Sequence, residues 1–324
     1  MKAQQLKNAI LQLAISGKLV PQDPNDEPAS ELLCKIQAEK DRLIAEGKIK
    51  KSKKSADKAP YSKIEPPFDI PESWVWVKLG ELGEIIGGGT PKTTDIDNWQ
   101  NGTIPWVTPA DMKYVIGKYI KSGNRNITEK GLSSSSTRLL STNSIIYSSR
   151  APIGYIAITE NTLCTNQGFK SIDLYVKSLV DYIYYCLIQL TPEIQSRASG
   201  TTFKEISGTE FGNTIIPLPP LNEQHRIVAK IEELLPFIEQ YDQKEQQLTA
   251  LNKNFPEQLK KSILQAAIQG KLTEQLPTDE PASELLKRIQ AEKTRLISEK
   301  KLKKPKHSSE IIIRDNLAYE IKDG

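Results

Sequence analysis

Residues 213–235 read NTIIPLPPLNEQHRIVAKIEELL, and the fold class turns on this stretch. The run N213-T-I-I-P217 has the β-branched apolar content of a short strand. Prolines 217, 219 and 220 end it, because proline has no N–H to give to a ladder. Asn222 then offers a helix cap, and apolar residues follow at helical spacing. A β-rich segment thus hands over to a long helix at one point. The class expected is α+β, with one mixed α/β domain followed by long helices.

Working back from residue 213, the texture is β-rich. W74-V-W-V, E84-I-I-G-G-G, I104-P-W-V, S144-I-I-Y-S-S and G154-Y-I-A-I are short runs separated by Gly, Asn, Asp and Ser clusters. S178-LVDYIYYCLIQL-T191 has the length and density of a buried helix. Residues 67–220 therefore form one domain of ordinary size. Trp74 and Trp76 alternate on a strand and read as core. Trp99 and Trp106 flank polar loops and are left open between core and surface.

Working forward, Ile227, Ile231, Leu234, Ile238, Tyr241, Leu248, Phe255 and Leu259 follow a heptad seam. Glu245 and Asn252 interrupt it. Pro256 is expected to kink or break the helix, so the long coiled-coil helix is assigned to 221–258. From Ile227 to Asn254 such a helix measures about 40 Å at 1.5 Å per residue. A seam of that length calls for a partner helix.

Beyond the helix the chain repeats its own beginning. Residues 6–50 and 259–303 align without a gap, and 31 of 45 positions are identical. Two copies set this far apart do not make a solenoid, whose units follow one another directly. Each copy reads as two helices around a turn. The organisation expected is an N-terminal helical repeat (1–50), a basic linker (51–66), the α/β domain, the long helix, a second repeat (259–303) and a tail (304–324). The duplication is either a working joint at each end of a module or a scar of recombination.

Composition narrows the function. The 324 residues carry a net charge of +4, with 38% hydrophobic and 26% charged residues. The segment 68–220 is nearly neutral, with 13 Lys and Arg against 14 Asp and Glu. Lysine runs instead follow each repeat, at 48–54 and 300–306. No apolar run approaches the roughly 18 residues of a membrane span, and the amphipathic N-terminus does not read as a signal peptide. Three cysteines, none in a C-x-x-C pair, suggest a reducing cytoplasm and no metal site. Phosphate-loop, dinucleotide, nucleophile-elbow and zincin motifs are all absent. G87-G-G-T90 lacks the lysine and following helix of a phosphate loop. His225, beside Glu223 and Arg226, reads as a solvated or capping side chain. The chain is expected to perform no bond chemistry and to bind no cofactor.

What remains is recognition. The loop G87–T103 carries Thr90, Lys92, Thr93, Thr94, Asn98 and Trp99. Lys113 follows the next strand-like run, and 133–143 adds Arg138. S148-SRAPIG154 places Arg150 just after a strand, T165-NQGF holds Gln167, and S196-RASGTTFK204 holds Arg197, Thr201 and Lys204. Arg, Lys, Asn and Gln read base edges, while hydroxyls and backbone N–H groups anchor phosphates. Ordinary surface loops would look the same, so on residues alone both readings stand.

P67-FDIPESWVWVKLGEL, G87-GGTPKTTDIDNW, G102-TIPWVTPADM112, S148-SRAPIGYIAI158, T165-NQGFKSI172 and, above all, I216-PLPPLNEQHRIVAKIEELL235 resemble the specificity subunit of type I restriction-modification systems. The resemblance covers most of 67–270. It implies a target-recognition domain that reads one half of a split double-stranded DNA target, followed by a conserved helix that packs antiparallel on its counterpart. It further implies a methyltransferase subunit, which holds S-adenosylmethionine and methylates adenine, and a translocase-nuclease subunit. A full subunit carries two recognition domains, and this chain carries one. It is therefore expected to homodimerise through the seam and to read an interrupted palindrome. A single-domain monomer, or a coiled-coil scaffold whose α/β domain binds protein, are the competing expectations.

Overall fold

The computed structural model describes residues 2–49, 67–200 and 204–303, and the backbone of 309–314 and 317–322. The chain divides into two compact units, residues 1–248 and 249–324.

The first unit opens with α1 (Ala3–Ile15) and α2 (Ala29–Ala45). The α/β domain then runs β1 (Val75–Lys78), α3 (Leu79–Leu82), β2 (Gly83–Gly87), β3 (Ile104–Val107), β4 (Tyr119–Ile120), β5 (Arg125–Ile127), α4 (Glu129–Ser133), β6 (Ile145–Tyr147), β7 (Ile156–Thr159), β8 (Cys164–Thr165), β9 (Lys170–Leu174), α5 (Val180–Ser196), α6 (Gly208–Gly212) and β10 (Ile215–Leu218). A five-stranded sheet has the order β2-β9-β6-β7-β4, a three-stranded sheet the order β5-β3-β8, and β1 pairs with β10. Helix α5 is buried without a break from Tyr182 to Leu187, as its dense apolar sequence requires. The β1–β10 ribbon is antiparallel, with Val75 opposite Leu218. It brings the entry to the domain and its exit side by side.

That ribbon explains where the first repeat sits. It delivers α2 next to the start of α7 (Leu221–Ile268). Leu11, Ala14, Ile15, Leu32 and Ile36 are each 3% exposed or less, in one core with Trp74, Tyr182, Ile227 and Ile231. Polar contacts lock the seat. Glu223 accepts from Trp74 Nε1 (2.9 Å) and from Gln22 Nε2 (2.6 Å). Arg226 pairs with Asp26 through both guanidinium nitrogens. Ala29 N donates to Ser73 O at 2.9 Å. Gly17 ends α1 with φ +71°, and a Cβ there would meet Pro71 at 2.4 Å. Only glycine allows this turn at that distance.

Two expectations for the long helix are corrected. Ile227, Ile231 and Ile238 do not offer a seam to a second chain, because they are buried within their own. The recognition domain and first repeat supply the apolar cover that a partner helix was expected to give. Leu234 is half-buried, while Phe237, Tyr241 and Leu248 are exposed. Nor does Pro256 end the helix. Helix α7 continues through Pro236 and Pro256 to Ile268, past the boundary expected at 258. Each proline removes one bond of the ladder. Both prolines, and Glu232 and Asn252 four residues before them, occupy exposed positions, where water replaces the missing donor.

The second unit holds the end of α7, α8 (Ala282–Ser298) and a hairpin of β11 (Ser309–Arg314) and β12 (Leu317–Lys322). The first helix of the second repeat is the end of α7 itself. Leu251, Phe255, Leu259 and Ile263 are exposed along it, and α8 buries no residue. The expected tail carries the hairpin, with Ile311 opposite Glu320 and Ile313 opposite Ala318. The linker 51–66 lies outside the described residues.

Among the described residues, no helix is long and apolar enough to cross a membrane. No group of three or more His, Cys, Asp or Glu is arranged to hold a metal. Cys34 is exposed, and Cys164 and Cys186 are buried; all three are free thiols.

Candidate nucleic-acid interface

Sheet register gathers the polar loops. Gly87 at the end of β2 pairs with Lys170 at the start of β9, and Tyr147 at the end of β6 pairs with Ile156 at the start of β7. A bridge joins Ser148 to Phe169. The connections 88–103, 148–155 and 166–169 therefore leave from one end of the five-stranded sheet. Backbone bonds tie two more loops to them. Gly89 N donates to Thr165 O at 2.9 Å, Ser149 N to Gly168 O at 2.7 Å, and Ile206 N to Ser149 O at 3.1 Å. Thr137 Oγ1 donates to Thr165 O at 2.8 Å. Loops from five parts of the sequence thus form one continuous ridge.

The glycine run has its reason here. A Cβ on Gly88 would lie 1.9 Å from Asn166 O, and one on Gly89 would lie 2.5 Å from Thr137 N. These glycines let three loops cross at backbone contact, a role unrelated to phosphate binding.

The candidate residues separate by what already holds them. Asn98 is 1% exposed; it donates to Lys92 O at 3.1 Å and accepts from Ser134 Oγ at 3.1 Å. It shapes the loop and has no atom left to meet a base. Arg197 bonds Glu193, Thr214 Oγ1 and the Glu210 carbonyl, which fastens the end of α5 to α6. Arg138 is committed to both oxygens of Glu84 (2.7 and 3.2 Å), and that pair holds its guanidinium further above its ordinary value. Arg150 lies 3.6 Å from Glu205, a carboxylate it shares with Lys170 and Ser149. Lys113 is exposed on the turn Asp111–Tyr114, outside the bonds that build the ridge. Thr201 lies outside the described residues.

On the ridge, Thr90, Lys92, Thr93, Thr94, Gln167 and Lys204 are exposed. The Thr90 hydroxyl donates to Gln167 Oε1, joining two loops. Trp99, half-buried, stands edge-on to Trp106 with ring centroids 5.1 Å apart, and its Nε1 donates to Lys92 O at 3.2 Å. Buried Trp106 donates to Gly89 O.

Sequence reasoning missed one residue of this group. The guanidinium of Arg125, on β5, lies 3.6 Å from the centroid of the Trp99 ring. Stacking fixes the plane of the group while its N–H fork stays available, and cation–π attraction adds about 0.5–1 kcal/mol at an exposed site. R125-N-I127 is too short to read as a strand, so nothing in the sequence signalled that β5 carries Arg125 onto Trp99.

Pairing also changes the meaning of a neutral domain. Lys130 neutralises Asp95 (3.2 Å) and Asp97 (2.7 Å) beside the first loop. Glu84 and Glu205 face arginine or lysine. Lys92, Arg125 and Lys204 have no ion-pair partner among the described residues. A ridge poor in net charge therefore still offers open cations beside an aromatic platform.

Residues 71–250 match the family model described as the type I restriction modification DNA specificity domain. The EcoAI type I restriction enzyme specificity subunit of Escherichia coli is 32% identical over 363 residues, covering 93% of this chain and 57% of that protein. The EcoEI specificity subunit, also from Escherichia coli, is 32% identical over 351 residues with the same coverages. The chain thus spans a little over half the length of these relatives. In the crystal structure of the HsdS subunit from Thermoanaerobacter tengcongensis, one chain aligns with a TM-score of 0.44 at 22% identity, over 83% of this chain and 57% of that one.

Proposed function

Since the chain belongs to the type I restriction-modification DNA specificity family, we propose that it is a non-catalytic DNA-sequence reader that directs partner subunits to one half of a split target. The observation that carries this reading is the convergence of five polar loops on one ridge inside the matched segment. Lys92, Lys204, Thr93 and Thr94 meet phosphates. Arg125, flat on Trp99, and Gln167, positioned by Thr90, meet base edges. Phosphate contacts set register, and base contacts carry sequence information.

A methyltransferase subunit holding S-adenosylmethionine methylates an adenine next to this reader, and a translocase-nuclease subunit joins for restriction. The target adenine is flipped into the pocket of the partner enzyme. Two copies pair antiparallel along the exposed face of α7 beyond Ile238, giving a twofold reader with half-sites about one DNA turn, roughly 34–36 Å, apart.

Selection of bound duplexes from a random library, with the chain and its methyltransferase together, tests the reading. Enrichment of one split motif that vanishes when the chain is omitted supports it. Equal retention of all sequences refutes it.

A further inference from the structure

The two repeats are alike in sequence and opposite in burial. Leu11, Ile15, Leu32 and Ile36 of the first are buried to within 3%. Their counterparts 253 positions later, Leu264, Ile268, Leu285 and Ile289, are 52%, 87%, 49% and 54% exposed. The same apolar face is thus covered in one copy and bare in the other.

Where the copies agree shows what the second face fits. Every apolar side chain among residues 6–50 that the first repeat buries recurs unchanged in the second. So do the two polar residues that lock the seat: Gln22, which bonds Glu223, becomes Gln275, and Asp26, which pairs with Arg226, becomes Asp279. Gly17, turned at φ +71° against Pro71, recurs as Gly270 at φ +66°. None of the positions at which the copies differ is buried in the first; Asn8, Leu13, Asp23, Cys34 and Asp41 are examples. Change is confined to the side of the repeat that faces away from the seat.

We infer that the second repeat is a docking element for the seat that the first repeat fills, offered by a second copy of this chain: the surface built from Trp74, Glu223, Arg226 and Ile227. The chain order suits it. The seat lies at the first turns of α7 and the second repeat begins within its last, so antiparallel α7 helices bring the end of one to the start of the other. Both repeats are tethered in such a pair, and the second competes with the first at high effective concentration. The inference rests on the pairing in the proposed function and names the contact that closes it.

Backbone contact between Ala29 and Ser73 gives the test, since Ala282 is the counterpart of Ala29. In full-length chain with Cys34→Ser, which leaves only buried thiols, a Ser73→Cys copy is mixed with an Ala282→Cys copy and oxidised. A disulfide between the two copies is expected, and the double variant Ala29→Cys/Ser73→Cys should close within one chain. Separately, Leu285→Asp/Ile289→Asp changes exposed positions only. It should weaken self-association at least about tenfold, because two apolar anchors of a buried contact are lost. A chain that pairs by light scattering, forms no crossed disulfide and keeps its affinity in the Leu285/Ile289 variant overturns the docking inference and leaves the pairing intact. A chain that stays monomeric at all concentrations overturns both.

Discussion

The indole N–H of Trp74 donates to the buried carboxylate of Glu223 at 2.9 Å. One residue stands where the chain enters the recognition domain, and the other in the first turn of α7 where it leaves. The bond ties both crossings and, through Gln22, the first repeat. Trp74→Phe keeps most of the apolar contact but leaves a buried acceptor one partner short. The expected loss is about 1–3 kcal/mol, read as a lower urea midpoint with an unchanged slope. Trp76→Phe, at a half-buried position, should shift the midpoint far less; equal shifts would contradict this role for Trp74.

The same carboxylate makes the seat sensitive to pH. Burial pushes Glu223 above its ordinary 4.5, against the opposing hydrogen bonds from Trp74 and Gln22. A group whose folded pKa is raised contributes stability that is full below the unfolded value and lost as pH rises through the folded one. Asp26, held below its ordinary 3.8 chiefly by its bond to Arg226, acts oppositely, its contribution being lost as pH falls through its folded value. Thermal unfolding from pH 4.5 upward should therefore show a decline that Glu223→Gln removes. A decline of the same size in the variant would assign it to other groups.

Arg125 and Arg197 should separate reading from folding. Arg125→Ala leaves the stability of the chain nearly unchanged and costs about 1–3 kcal/mol of binding at one base pair, with that position relaxed. Trp99→Ala frees the guanidinium and moves binding in the same direction. Arg197→Ala instead lowers stability, because its partners hold α5 to α6, and should leave the sequence preference of the folded fraction as it was. Binding to a panel of single-base target variants, with unfolding curves, distinguishes the three.

Lys92→Ala and Lys204→Ala should weaken all duplexes alike. Each is expected to reduce the slope of log affinity against log salt by about one. A change confined to one base position would make either lysine a base reader.

The sequence revealed architecture where long patterns repeat. The strand–proline–helix junction at 213–235, the buried α5 and both halves of each repeat stand close to their expected bounds, because these segments satisfy their own hydrogen bonds and apolar periodicity. Short strands such as β4 and β8 exist only through their neighbours and left no local signal. The seam of α7 misled for a physical reason: a heptad pattern records that one face is covered, and Ile227 and Ile231 are covered by their own domain. The hairpin β11–β12 was read as tail because Asp315-Asn316 lacks the glycine of the strongest two-residue turn. For the ridge, the loops were identifiable, yet nothing in composition separated Arg197 and Asn98, committed inside the fold, from Lys92, open on its surface.

The most direct test of the central claim is the map of methylated adenines in DNA from cells that express this chain with its methyltransferase, compared with cells that express the methyltransferase alone. The expected map is a single split, symmetric motif, present only with the chain and degenerate at one position per half-site with Arg125→Ala. Methylation that is identical with and without the chain would contradict it.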